Sequence, residues 1–309
     1  MGLSSIFSSG KRRGGARAKR SSAKFLVPDG VVLSDRPCWC GTKEGRPLYH
    51  PNSQPSIFAA ACPHCGTIRL SPHLSKEAAA TYYSAAYHRE RHDPGQFFES
   101  QLDRDSVGRV LPYLNSGMTV LDYGCGSGGK LCRLLAEGIR VFAFEPNEGY
   151  LVHALKNGLV LYDQNTKYDC IFLSHTVEHW AEPLSDLRSL IRQNLKNEGL
   201  IVVELPFLDR LLIGARRQGV RGDLKFSHAW YFSTSTLDKM MGQLGAERIY
   251  CDRMNTSIYR YNEKREVAAI KSTPVRDRLL RALIRVASIR PLPAFLGRLN
   301  RVIRYINYF

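Results

Sequence analysis

Two close pairs of cysteines stand out first: Cys38-Trp39-Cys40-Gly41 and Cys62-Pro63-His64-Cys65-Gly66, with 21 residues between them. Two such pairs bring four thiolates to one tetrahedral Zn²⁺, and the glycines allow the turns. The second pair has the C-x-x-C-G form; the first is a tighter C-x-C, so His50 or His64 can stand in for a ligand. A redox pair or unrelated thiols is the other reading. Four protein ligands close a zinc site, which gives the ion a structural role. Cys125, Cys132, Cys170 and Cys251 are scattered and read as small core residues. A second constellation is the loop Gly124-Cys125-Gly126-Ser127-Gly128-Gly129, which follows an apolar run and opens a helical one. Glycines let the chain turn sharply, and free N–H groups at a helix start favour an anionic group. Glu145 lies 23 residues after Asp122. An acid so placed can accept hydrogen bonds from both hydroxyls of a ribose. The loop also fits G-x-G-x-x-G, so a nicotinamide cofactor stays in view beside a tight turn that binds nothing. Of nine histidines, His175, His179 and His228 carry chemical interest. His175 ends a strand, where ligands sit in open α/β sheets. His179 follows Glu178 at a helix start, where a loop-fixing hydrogen bond is the plainer role. His228 lies in Phe226-Ser227-His228-Ala229-Trp230-Tyr231-Phe232-Ser233. A histidine, with a pKa ordinarily about 6.5, suits proton removal from a hydroxyl or amine. A histidine packed among aromatics is the alternative.

These residues need positioning elements, and the pattern supplies them. MTVLDYG, RVFAFEP, LVLYD, YDCIFLSH and LIVVELP read as five strands, with RIYCD and SIYRYNE as the last two. GKLCRLLAEG, EGYLVHALKNG, PLSDLRSLIRQNLKNEG and STSTLDKMMGQLG read as the helices between them. Strands alternating with helices predict an α/β fold: a Rossmann-like, mostly parallel seven-stranded sheet with helices on both faces. Residues 75–113 read as helical, and residues 36–72, rich in Pro, Gly, His and Cys, as a small unit held by something other than a core. The expected divisions are a disordered basic tail over 1–24, a zinc-binding unit over 25–75, a helical linker or lid over 76–117, the sheet domain over 118–262 and a basic helical tail over 263–309.

Val120-Leu121-Asp122-Tyr123-Gly124-Cys125-Gly126-Ser127-Gly128 resembles the first motif of class I S-adenosylmethionine-dependent methyltransferases. Phe144-Glu145-Pro146-Asn147 is similar to that family's ribose-binding loop, Leu173–His179 to the segment after its fourth strand, and Asn197-Glu198-Gly199-Leu200 to the turn before its fifth. The resemblance spans about residues 77–262. It implies that Asp122 anchors the loop and helps hold the methionine amino group. By the same resemblance Gly124, Gly126 and Gly128 admit the methionine end, Glu145 takes the ribose, Asp163 borders the adenine, and His175 lies beside the bound ligands. Phe226–Ser233 resembles a segment of sugar C-methyltransferases and related carbohydrate-tailoring enzymes, in which a similar zinc knuckle precedes the catalytic domain. Lys225 and Ser227 stand where those enzymes carry Tyr and Glu. The expectation is therefore methyl transfer from S-adenosylmethionine to a hydroxyl or amine of a carbohydrate, either a nucleotide sugar or a lipid-linked glycan. His228, His175 and His179 are the candidate catalytic residues. The alternatives are an RNA or protein methyltransferase and a membrane-associated, non-catalytic scaffold that binds the cofactor.

The 309 residues suffice for a large domain with additions, and the formal charge of +16 is concentrated at the ends. Residues 1–24 hold seven Lys/Arg and no acid; residues 264–309 hold eleven against Glu266 and Asp277. The stretch between them balances at zero, which argues against nucleic acid as a partner and for a small-molecule or glycan substrate. In the C-terminal tail Val275, Leu279, Leu283 and Val286 share one helical face with Arg278, Arg281 and Arg285 opposite. That pattern predicts a helix lying on an anionic membrane surface, or one packed on the body or a second subunit. The N-terminal run lacks the apolar stretch of a secretory signal, and Ile6 breaks the myristoylation pattern. The expected location is the cytoplasm, peripherally at the inner face of the membrane.

Overall fold

The structure, a computed structural model, describes residues 32–49, 57–86, 93–102, 106–209, 226–252, 255–267 and 270. The basic segment at 1–24 and the amphipathic one at 275–309 lie outside them, as does His50.

The chain begins with five short strands: β1 (Leu33–Ser34), β2 (Arg46–Tyr49), β3 (Phe58–Ala61), β4 (Ile68–Ser71) and β5 (His73–Leu74). Helices α1 (Lys76–Thr81), α2 (Pro94–Leu102) and α3 (Ser106–Val110) follow, with a wider π turn over Tyr82–Ala86 after the first. The main sheet then forms in the order β6 (Thr119–Tyr123), β7 (Arg140–Phe144), α4 (Glu148–Lys156), β8 (Val160–Leu161), β9 (Tyr168–Ser174), α5 (Pro183–Asn194) and β10 (Leu195–Glu204). The described chain closes with β11 (Trp230–Tyr231), α6 (Thr234–Gly242), β12 (Ala246–Cys251) and β13 (Thr256–Tyr261).

The seven-stranded sheet runs β12-β13-β10-β9-β6-β7-β8. Its five strands from β10 to β8 are parallel, and β13 and β12 add antiparallel. Cys170–Leu173 and Ile201–Val203 are wholly buried, as centre strands covered on both faces must be. Helix α5 buries Leu187, Leu190 and Ile191, one stripe at helical spacing, and opens on Pro183. Asn147 caps α4 by accepting from Tyr150 N–H, and Ser233 and Thr236 form a reciprocal capping box on α6. The chain winds outward from β6 to β8, then returns to β9 on the other side of β6. The switch point therefore lies between β6 and β9, where open α/β sheets bind their ligands.

The seven expected strands and the mostly parallel sheet are present. Three local expectations change. Residues 132–137 form a short 3₁₀ run, ended by left-handed Gly138. Leu131 and Leu134, both buried, align at the three-residue period of that tighter helix. β10 starts at Leu195, five residues before the apolar run that marks it in the sequence. The cysteine-bearing segment has a core after all. β2, β3 and β4 pair antiparallel, and Leu48, Ile57, Ala59, Ile68 and Leu70 pack with Phe226 and Tyr231. β11 completes this sheet: Trp230 pairs with Arg69 and Tyr231 with Ile68. A segment far along the chain is thereby hydrogen-bonded to the unit, a long-range pairing with no local signature. No helix among the described residues is long and apolar enough to cross a membrane.

Candidate active site

A cavity of about 920 Å³ opens at the carboxyl ends of β6, β7 and β9. The glycine loop, Glu145 and the segment after β9 form its walls, together with Tyr83 and Phe97 from the helices that precede the sheet. Its size suits a small-molecule or cofactor site.

Glu145, at the end of β7, is buried and lines the cavity. Its carboxylate accepts the Gly126 N–H at 2.9 Å and the Asn147 N–H at 3.1 Å, so it also pins the loop. Gly126 has φ +55°, and a Cβ there would stand 2.7 Å from the Phe97 ring, which α2 lays over the loop. Glycine is required on both counts. Gly124 and Gly126 line the cavity, whereas Gly128 serves packing: a Cβ on it would meet Ala154 Cβ at 2.9 Å. Asp122, only 2% exposed, also faces the cavity. Burial pushes its carboxyl up to about 7, against the opposing pull of Lys130. Phe144 stacks on Tyr123 at 4.3 Å between ring centres, and Trp180 meets Tyr123 edge-on. These rings offer flat apolar faces to a heterocycle.

The structure does not bring Asp163 to this cavity. It is exposed on the turn after β8, and its carboxylate accepts from Asn165 N–H at 2.9 Å and from the Thr166 hydroxyl at 2.7 Å. Those local bonds hold its carboxyl below the usual carboxylate range.

His175, His179 and His228 do converge on the cavity wall. His175 has φ +52°, a conformation that costs free energy in a non-glycine residue and recurs at functional sites. Its N–H donates to the Glu204 carbonyl at 2.7 Å, and its Nδ1 lies 3.2 Å from Glu178 Oε1. The Nδ1 of His179 pairs with the Ser227 carbonyl, and the His228 ring packs 5.0 Å from the His179 ring. Two groups outside the set of sequence candidates complete the site. Lys130 forms a buried ion pair with Glu204 at 2.6 Å and also contacts Ser174 Oγ, both Lys130 and Ser174 lining the cavity. Glu178, 1% exposed, stands behind the histidines. Burial raises its carboxyl, but the His175 hydrogen bond and the neighbouring imidazoles lower it further, to about 2. The Glu-His dipeptide was visible in the sequence; the depth at which Glu178 is buried was not.

The four cysteines of the N-terminal unit also meet. Cys38 Sγ and Cys65 Sγ lie 3.4 Å apart, Cys40 Sγ and Cys62 Sγ 3.5 Å, and all four sulfurs fall within 4.8 Å of one another. Gly41 and Gly66 end the two turns with φ of +86° and +90°. The Thr67 N–H points to Cys65 Sγ at 3.5 Å. His64 is exposed and outside the cluster. Crowding splits the thiol acidities: bonds among the sulfurs raise Cys38 and lower Cys40. A Cys₄ donor set this close fits a Zn²⁺ with bonds of about 2.3 Å.

The sequence model of the family described as Methyltransferase domain matches residues 91–250. Among curated proteins, the tRNA U34 carboxymethyltransferase of Aeromonas hydrophila is 27% identical over 154 residues, covering 43% of this chain and 46% of that protein. The protein of the same name from Haemophilus influenzae is 27% identical over 165 residues, covering 46% and 50%. The chain thus spans about half the length of these relatives. Among solved structures, the 1,6-didemethyltoxoflavin-N1-methyltransferase of Burkholderia thailandensis aligns with a TM-score of 0.46 at 13% identity, covering 67% of this chain and 96% of that one. The tRNA-modifying relatives overturn the expectation of a glycan or small-molecule substrate and the argument against nucleic acid. The balanced charge of the body is no evidence against such a partner, because the cations of this chain are clustered at its two ends.

Proposed function

The chain belongs to the methyltransferase domain family, and on that premise we propose that it transfers a methyl group from S-adenosylmethionine to a nucleoside of RNA, with tRNA as the substrate class. The cavity between the glycine loop and the histidine cluster carries the reading. It joins a loop fit for a methionine end, an acid fit for a ribose and aromatic walls fit for heterocycles. Enzymes that act on a base take it out of the stack into such a pocket. The tRNA relatives support the acceptor class.

The residues present fit the cofactor: the buried acid at the end of β7, the close-packed glycine and the buried Asp122 match its hydroxyls, its carboxylate end and its ammonium group. In this reading Glu145 holds the ribose, Asp122 the amino group, and Gly124 and Gly126 the methionine end. When bound, the cofactor supplies an electrophilic methyl on a sulfonium. The chain then has to align the acceptor with that methyl, exclude water and take up a proton where the acceptor carries one. His175, His179 and His228 stand on the acceptor side of the cavity for that work. Cys38, Cys40, Cys62 and Cys65 hold one structural zinc, which fixes the sheet shared with β11 and, through it, the neighbourhood of His228.

Incubation with bulk tRNA and methyl-labelled S-adenosylmethionine tests this reading. Label should enter RNA, and the mass of the modified nucleoside identifies the group transferred. Cofactor binding without any labelling of RNA would reject the acceptor class.

A further inference from the structure

We propose that Glu178, His179 and His228 form a second metal site, for a divalent first-row transition cation, in the wall of the active-site cavity. One ligand atom from each of the three lies within 4.8 Å of the others, and all three side chains are buried. Three ligands at bonds of roughly 2.0–2.2 Å stand about 3.3–3.8 Å apart around one ion, so a closure of at most about 1 Å, within the reach of side-chain rotation, completes the site.

Glu178 makes the stronger case. Its Oε2 is buried and has no hydrogen-bond partner among the described residues. A buried carboxylate oxygen left unpaired is costly, and a bound cation removes that cost. The other oxygen, Oε1, is held by His175 Nδ1 at 3.2 Å, which fixes the orientation of the carboxylate from behind. His179 is prepared in the same manner. Its Nδ1 pairs with the Ser227 carbonyl, so the proton sits on Nδ1 and the lone pair on Nε2. Outer partners of this kind set the tautomer and direction of ligating histidines. His179 and His228 both border the cavity, which provides an entry path and leaves coordination positions facing the acceptor.

Two imidazoles and a carboxylate suit Mn²⁺, Fe²⁺, Co²⁺ or Zn²⁺, while four thiolates suit Zn²⁺. The two sites therefore differ in the ions they favour. A cation here would grip an electron-rich atom of the acceptor and lower the pKa of a hydroxyl or water bound to it. The binding site itself does not depend on the acceptor being RNA.

The test uses the full chain, purified with its zinc retained, stripped of loosely held ions and titrated with MnCl₂ alone. Free Mn²⁺ is followed by electron paramagnetic resonance. One Mn²⁺ per chain should bind at sub-millimolar concentration, with the zinc content unchanged at one per chain. Glu178→Gln and His228→Asn should each weaken Mn²⁺ binding at least about tenfold, and His175→Gln by a smaller factor. If Glu178→Gln does not fold, His228→Asn and the wild-type titration still decide. No Mn²⁺ bound by the folded wild type up to about 1 mM, or unchanged binding in folded Glu178→Gln and His228→Asn, overturns the proposal.

Discussion

Glu145 accepts two backbone amides and still borders the cavity, so it shapes the loop as well as the proposed ribose site. Glu145→Ala should therefore weaken S-adenosylmethionine binding by roughly ten- to a hundredfold, since hydrogen bonds to a charged acceptor are worth about 1.5–3 kcal/mol; calorimetry reads this directly. Asp122 gives a pH prediction. Its carboxyl is held up to about 7, chiefly by burial, so the folded protein keeps a proton that the unfolded chain has lost. The stability tied to that proton is present below the ordinary carboxylate pKa and fades as pH rises through about 7. A ligand ammonium favours the ionised form, so cofactor affinity should climb several-fold from pH 6 to about pH 7.5, below the range in which an α-amino group itself loses its proton. Asp122→Asn should flatten that profile; an equally steep profile in the variant would remove Asp122 from the amino-group site. At this scale the sequence revealed the residues whose types are rare and whose spacing is rigid: the glycine loop, Glu145 and the four cysteines. It did not reveal burial. The Lys130–Glu204 pair and the depth of Glu178 arise from elements far apart in the chain, and Asp163 faces solvent from the turn after β8.

Among the elements, short apolar runs located the seven strands, most plainly the central β9 and β10, which are continuous because both their faces are covered. The antiparallel pairing of β2, β3 and β4 was harder to see, because short strands rich in Ala and Pro carry little β signal. The two-residue β11 is visible only once β4 is beside it. This pairing makes the cysteine unit part of the main body. Cys62→Ser should lower zinc content and the yield of folded protein, while the surviving folded fraction keeps most of its cofactor affinity. Elemental analysis beside a binding isotherm separates the two effects. A second element-scale contact is Tyr259, whose hydroxyl on β13 donates to Asp238 of α6 at 2.9 Å. Tyr259→Phe should cost about 1 kcal/mol and lower Tm by roughly 2–4 °C, as a melting curve would register.

For the whole molecule, the proposed RNA acceptor gives the charge map a meaning. The seven cations of residues 1–24 and the eleven of residues 264–309 flank a balanced body. Such tails attract phosphate without reading sequence, and their contribution falls with salt. Deleting residues 1–24 should weaken tRNA binding at low salt and make the dependence of log K on log salt shallower, by up to about five in slope if all seven cations meet phosphate. Affinity for S-adenosylmethionine should not change. Most directly, the central claim is tested by the transfer of labelled methyl from S-adenosylmethionine to bulk tRNA, measured for the wild-type protein beside Glu145→Ala at a cofactor concentration that saturates only the wild type. Label in tRNA from the wild type, and a loss of ten- to a hundredfold in the variant, is the predicted result. Wild-type protein that binds the cofactor yet leaves tRNA unlabelled, or a variant that labels it equally well, would contradict the account.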